Sequence, residues 1–220
     1  MGADRRSAER RRWLAGALGL AAGTTAWPLD AAARRLAAMT DGPFYPPARW
    51  RQAWADQDSD LTQVRRAGQV LVAQGEHLEL QLQISDENGR RIDSVQVEIW
   101  QCDALGQYRQ PSVSASQPHD PGFQGFGAGR SDDQGRVRFR TIRPVNYPGR
   151  TPHIHLKLRH ASFGEVTSQL FVDGEPGNER DGLWRWLPAA DRGALAMKLQ
   201  PVPAGSDLRW RVSHAIELAA

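Results

Sequence analysis

From residue 76 onward, hydrophobic residues recur at every second position. Leu78, Leu80, Leu82 and Ile84 alternate with Glu79, Gln81 and Gln83, and the turn Glu87-Asn88-Gly89 follows. Val95, Val97 and Ile99 alternate with Gln96 and Glu98. After the turn Asp133-Gln134-Gly135, Val137, Phe139 and Thr141 alternate with arginines; further on, Ile154, Leu156 and Leu158 alternate with His153, His155 and Lys157. Successive side chains of a strand point to opposite faces, so each run predicts a strand with one apolar face. Residues 166–171 and 208–216 are two further strand candidates, and a helix is expected only over residues 189–199. One-faced strands separated by Gly, Asp, Asn and Pro turns predict an all-β fold: an antiparallel β-sandwich core with long loops. Ahead of it, residues 28–69 are mixed in character and contain the Pro-rich turn Gly42-Pro43-Phe44-Tyr45-Pro46-Pro47. This stretch reads as an irregular N-terminal arm with a turn or two of helix.

Charge changes the picture in one place. The pI near 9.5 invites a nucleic-acid partner. The net charge of +3, however, is carried entirely by the first twelve residues, where Arg5, Arg6, Arg10, Arg11 and Arg12 outweigh Asp4 and Glu9. The rest of the chain is balanced, so no nucleic-acid partner is expected. The apolar run over residues 13–22 follows that basic segment and is too short to span a bilayer. Basic-then-apolar order is that of a signal peptide, and Glu9-Arg10-Arg11-Arg12-Trp13-Leu14 is similar to a twin-arginine export signal. The expectation is a signal peptide over residues 1–33, one domain over residues 34–220, a periplasmic or secreted protein and no stable membrane anchor. An amphipathic N-terminal helix is the plainer alternative. The lone Cys102 excludes an intramolecular disulfide and a cysteine-rich zinc site.

Candidate chemistry gathers around His153-Ile154-His155. Residues i and i+2 of a strand share a face, so both imidazoles can approach one ion while Ile154 points into the core. Alone, His-x-His is compatible with zinc, copper or iron, and with an ordinary strand. Of the three tyrosines in the chain, Tyr147 precedes His153 by a Pro- and Gly-containing loop that can return its phenol toward the imidazoles. A hard trivalent cation can bind a phenol deprotonated, so two tyrosines with two histidines would favour Fe(III). Read singly, Tyr108 and Tyr147 are equally amphipathic residues with a buried ring and a wet hydroxyl.

Longer stretches carry a resemblance. The run Val97-Glu98-Ile99-Trp100-Gln101-Cys102-Asp103-Ala104-Leu105-Gly106-Gln107-Tyr108 resembles the first metal-ligand strand of the intradiol ring-cleavage dioxygenases. Phe123-Gln124-Gly125-Phe126-Gly127, Phe139-Arg140-Thr141-Ile142-Arg143-Pro144, Tyr147-Pro148-Gly149-Arg150-Thr151-Pro152-His153-Ile154-His155 and Gln169-Leu170-Phe171 follow in that family's order. Thr40-Asp41-Gly42-Pro43-Phe44-Tyr45 is similar to its segment beside the substrate pocket. The resemblance implies a β-sandwich and a non-haem Fe(III) held by Tyr108, Tyr147, His153 and His155. It further implies a catechol-type substrate and O2, cleavage between the two hydroxylated carbons, and a muconate-type diacid as product. Tyr108 and His155 would be the equatorial ligands, and Tyr147 would leave the metal to take a substrate proton. Arg150 would stabilise charge on the ring, Gln169 would line the O2 and substrate side, and Tyr45 would help bind substrate. A homo-oligomer is compatible with all of this. The Tyr147-to-His153 connection is shorter than in the protocatechuate and catechol dioxygenases and resembles a less characterised branch; a protocatechuate-like or stand-alone core is expected. Two other readings stay open: a non-catalytic exported module binding aromatic or sugar ligands, and a zinc or copper enzyme that would need a further His or carboxylate. The glycines over residues 122–129 are expected to permit tight chain passage. His77, His119, His160 and His214 are expected to be structural or exposed, and Trp184 and Trp186 to cover the sandwich.

Overall fold

The computed structural model describes residues 35–54, 56–110 and 118–219; the expected signal segment lies outside them. In chain order the elements are α1 (Ala48–Arg51), β1 (Gln63–Arg66), β2 (Gln69–Val72), β3 (His77–Asp86), β4 (Gln96–Trp100), β5 (Phe126–Arg130), β6 (Arg136–Ile142), β7 (His153–His160) and β8 (Gly164–Val172). A single 3-10 turn (Asn178–Arg180), α2 (Gly182–Trp186), α3 (Ala189–Leu195), β9 (Ala196–Met197), β10 (Gln200–Pro201) and β11 (Trp210–Leu218) complete it. Among the described residues, one sheet runs β10-β11-β3-β6 and the other β5-β4-β7-β8-β9, with β1 and β2 forming a separate hairpin.

The alternation seen in the sequence is the alternation of the fold. Leu78, Leu80, Leu82, Ile84 and Phe139 of the first sheet meet Val97, Ile99, Ile154, Leu156, Leu158 and Leu170 of the second in one buried core. Burying a Leu, Ile, Val or Phe side chain stabilises by roughly 1.5–3 kcal/mol, so this interior is the main source of stability. The sandwich is not purely antiparallel: β11 runs parallel to β3, in register from Trp210 against Leu78 to Leu218 against Asp86. The helix expected over residues 189–199 stops at Leu195, because the next residues join the sheet as β9 beside Val172. Trp184 packs on Phe171 at 5.2 Å, whereas Trp186 is 71% exposed.

The Gly-rich stretch runs into strand β5, whose glycines are demanded by closeness. A Cβ at Gly127 would lie 2.4 Å from Leu61 Cδ1 and 2.5 Å from the Asp58 carbonyl oxygen. Gly127→Ala is therefore expected to destabilise the fold by about 1–3 kcal/mol, the usual cost of overpacking. Urea unfolding read by tryptophan fluorescence checks it.

His214 is a core histidine. It faces inward on β11 in line with Val212 and Ile216, and its Nε2 lies 2.9 Å from the Ala194 carbonyl. Burial holds its pKa below the ordinary 6.5, with the Ala194 bond opposing. The neutral form is thus favoured on folding; its contribution is complete above pH 6.5 and falls away as pH drops from there toward the lower folded-state value. In His214→Gln the loss of stability between pH 7.5 and pH 5 is expected to be smaller than in the parent, measured as the difference in urea midpoints.

The arm is fastened to the outer face of the second sheet. Asp41 accepts hydrogen bonds from Lys157 Nζ (2.6 Å) and Thr167 Oγ1 (2.6 Å). Burial alone would raise its pKa, but these donors bring it below the usual carboxylate value. Lys157 is buried, pairs also with Glu165 at 3.4 Å, and stands 4.0 Å from the Tyr45 ring centroid. This anchorage brings Phe44 and Tyr45 down onto the sheet where its polar face carries the two histidines.

Candidate metal centre

Strand register sets the first row of the site. Trp100 of β4 is opposite His155 of β7, which is opposite Gln169 of β8; the next pair along is His153 and Phe171. Cross-strand partners project to the same face, and Ile99, Ile154 and Leu170 turn the other way into the core. Both imidazoles therefore stand together on the face away from the sandwich interior, as the i, i+2 spacing requires.

Two turns bring the phenols to them. Beyond β4, Asp103 Oδ1 accepts from the amides of Leu105 and Gln107, each at 2.9 Å, and Gly106 adopts φ +75°, reversing the chain so that Tyr108 returns over the sheet. The second turn is Tyr147-Pro148-Gly149-Arg150, closed by the Arg150 amide on the Tyr147 carbonyl at 2.9 Å. Pro148 brings its fixed φ, and Gly149 brings φ +81°, the left-handed conformation such a turn needs. The short connection thus places Tyr147 and Arg150 side by side, with Arg150 Nη1 3.4 Å from Tyr147 Oη.

All four expected ligand residues converge. His153 Nε2 is 3.2 Å from His155 Nε2, which is 3.1 Å from Tyr108 Oη. The Tyr108 and Tyr147 rings meet edge to face at 5.5 Å. His153 Nδ1 lies 2.6 Å from the Thr151 carbonyl; that contact puts the proton on Nδ1 and leaves the Nε2 lone pair free. Burial, with Arg150 adding, lowers the His153 pKa to about 4, and burial followed by His153 and Arg150 takes His155 well below its ordinary value. Burial raises both phenols, Tyr108 by far the more. Near neutral pH the protein alone thus offers two neutral imidazoles and two un-ionised phenols.

That donor set fits a hard cation. Neutral imidazole nitrogens and phenol oxygens aimed at one small buried space are an arrangement of lone pairs that a metal ion satisfies. His155 Nδ1 is buried without a hydrogen-bond partner, so on that side the ring is held by packing and not by a polar tether. Among the described residues no group of three His, Cys, Asp or Glu comes together. A zinc or copper site of the usual thiolate, imidazole and carboxylate kind is therefore not assembled from them. Two phenolates offset two of the three charges of a ferric ion, and its field would supply the pKa lowering that burial opposes. Cys102 is no competitor: its thiol is buried, pushed up to about 12, and turned to the Val145 carbonyl at 3.7 Å.

The remaining expected residues divide. Arg150 and Gln169 are at the site, with Arg150 Nη2 2.6 Å from Gln169 Oε1 and Arg150 Nε 2.8 Å from Asp181 Oδ2. Tyr45 reaches it only through its ring, which meets Trp100 at 4.9 Å; its hydroxyl donates to Glu98 (2.7 Å) and accepts from Arg159 (3.1 Å). Its neighbour Phe44 lies flat on Tyr108 at 4.3 Å and edge-on to Tyr147 at 5.8 Å. Trp100, which the sequence reading did not single out, stacks on His155 at 4.7 Å and 11° and supports the imidazole that lacks a tether. Its place opposite a histidine was the available signal, once the register was known. From solvent, an open cleft of about 580 Å³ leads to Tyr147, Arg150 and Asp181.

A sandwich with two tyrosines, two histidines and a clamped arginine on its outer face defines a class, and comparison with known proteins gives the same one. The family model described as Dioxygenase matches residues 41–183. The beta chain of protocatechuate 3,4-dioxygenase from Burkholderia cepacia is 32% identical over 160 residues, spanning 69% of this chain and 67% of its own. The chain belongs to the intradiol dioxygenase family. Solved structures agree in fold. The dioxygenase domain of a dioxygenase and carbohydrate-binding protein fusion from Streptomyces sp. SirexAA-E superposes with a TM-score of 0.62 at 24% identity, covering 85% of this chain and 99% of that domain. An intradiol ring-cleavage dioxygenase from Tetranychus urticae gives a TM-score of 0.60 at 21% identity, covering 84% and 94%.

Proposed function

We propose that this chain cleaves a catechol-type ring with O2 between its two hydroxylated carbons, using a non-haem ferric ion held by Tyr108, Tyr147, His153 and His155. The observation that carries the reading is the meeting of His153 Nε2, His155 Nε2 and Tyr108 Oη at 3.1–3.2 Å in buried surroundings, in a chain of this family. When bound there, a ferric ion would supply the Lewis acidity that draws electron density from a catechol-type ring and makes it reactive toward O2.

The protein's own groups take separate parts. Tyr108 is buried beneath Phe44 and is the fixed phenol. Tyr147 is half-buried at the cleft; held as a phenolate by the ion, it would be the base that takes a proton from an incoming catechol hydroxyl. Arg150, fixed at Nε by Asp181 and at Nη2 by Gln169, directs a permanent positive charge toward the substrate ring as negative charge develops there. Gln169 holds the guanidinium from the O2 and substrate side. Trp100 and Tyr45 form the wall behind His155, so Tyr45 shapes the pocket through its ring rather than through a polar contact. Phe44 covers Tyr108 and keeps water from it. The basic-then-apolar order over residues 5–22 supports export to the periplasm or beyond.

Catechol, protocatechuate and hydroxyquinol supplied with isotopically labelled O2 test the reaction. The expected product is the diacid formed by adding both labelled atoms to the ring, with nothing else released. Absence of O2 uptake by the iron-reconstituted protein, or opening outside the two hydroxyls to a semialdehyde, would overturn it.

A further inference from the structure

Asp181 lies outside the donor set, yet its carboxylate joins two segments that orient it. Oδ2 accepts from Arg150 Nε at 2.8 Å and from the Thr151 amide at 3.0 Å. Oδ1 accepts from the amides of Leu183 and Trp184 at 2.9 and 3.1 Å, capping α2. Four donors thus occupy the two oxygens of a side chain with no solvent exposure. Helix α2 is itself fixed, because Trp184 packs edge to face on Phe171, the strand partner of His153. Thr151 is held a second time by the bond between its Oγ1 and Asn178 Oδ1, at 2.9 Å, and its carbonyl meets His153 Nδ1.

A helix cap needs only one oxygen, and a serine, threonine or asparagine would provide it. The second oxygen of Asp181 accepts from Arg150 Nε and from the Thr151 amide, while Gln169 accepts from Arg150 Nη2. An arginine side chain has several rotatable bonds, and holding its plane requires contacts at more than one of its nitrogens. Gln169 fixes Nη2 and Asp181 fixes Nε.

We propose that Asp181 is the positioning residue for Arg150: it sets the plane in which the guanidinium faces the substrate, beyond its role as a cap. The inference rests on the catalytic reading of Arg150. Asp181→Asn keeps the shape and a capping oxygen but turns an NH2 group toward Arg150 Nε or toward the helix amides. Its kcat is expected to fall about 10–100-fold, the usual effect of losing a partner that orients a working group. KM, iron content and the visible band of the resting protein are expected to stay near the parent values. The double variant Asp181→Asn/Arg150→Lys should be no slower than Arg150→Lys alone, since one defect already contains the other. Should Asn compromise folding, as judged by thermal midpoint, Asp181→Ser retains a capping oxygen and serves in its place. Parent-like kcat in the Asp181 variant, with Arg150→Lys impaired, would overturn the positioning role while leaving Arg150 catalytic. Effects that multiply in the double variant, or a slow Asp181 variant beside a fully active Arg150→Lys, would mean that Asp181 acts elsewhere and also overturn it. Full activity in both single variants would remove the Arg150 reading together with the inference.

Discussion

Tyr108→Phe is expected to abolish the visible colour of the iron-bound protein or shift it strongly, and to lower turnover by more than the roughly 100-fold typical of losing an outer partner of a metal site. Tyr108 is 6% exposed, and its phenol is held strongly toward the protonated form, so only a cation beside it can make it a phenolate. Phenylalanine keeps the ring that stacks on Phe44 at 4.3 Å, so the local packing survives. The hydroxyl lost is the one 3.1 Å from His155 Nε2, and one missing hydrogen bond costs only about 1 kcal/mol of stability. A folded protein with changed colour and little turnover is the expected outcome, read by absorption, circular dichroism and O2 uptake together.

The second large effect is expected at Arg150. Arg150→Gln removes the one positive charge directed at the substrate ring while leaving Asp181 bonded to three backbone amides, so the turn and α2 persist. Because the charge it opposes develops as the ring reacts, the loss should appear in kcat far more than in KM. About 10²–10³-fold in kcat is the scale for removing one such group. Iron content should be unchanged, since Arg150 is no part of the donor set. Steady-state kinetics beside metal analysis separate this variant from a ligand variant, in which the metal site itself is altered.

These two positions differ in how they can be read from the chain. The one-faced strands were legible because burial of one face forces a period of two: β3, β6 and β7 stand where Leu78, Val137 and Ile154 begin their alternations. Strand β5 was not, because three of its five residues are glycine or alanine and carry no period. The hairpin β1-β2 also escaped, since most of its residues are exposed and it packs no alternating face against the core. The parallel pairing of β11 with β3 was hidden for a third reason: alternation reports which face is buried and is silent on the neighbour's direction.

At the site, His153 and His155 declared themselves by spacing alone. Tyr108 did not, because its approach depends on the Asp103–Gly106 turn and on folding across the sheet; only the family resemblance placed it with the histidines. Trp100 became meaningful through its register with His155, and Asp181 through a contact spanning β7, β8 and the turn beyond. Local pattern fixes faces. The contacts that orient the chemistry are long-range, and periodicity carries no record of them.

The central claim is that two phenols and two imidazoles hold a ferric ion, and the visible absorption spectrum of the iron-reconstituted protein tests it most directly, with Tyr108→Phe alongside. The account predicts a broad tyrosinate-to-iron charge-transfer band that catechol perturbs and that Tyr108→Phe weakens or shifts. A protein that stays colourless after reconstitution, or a band unchanged by removal of the Tyr108 hydroxyl, would contradict it.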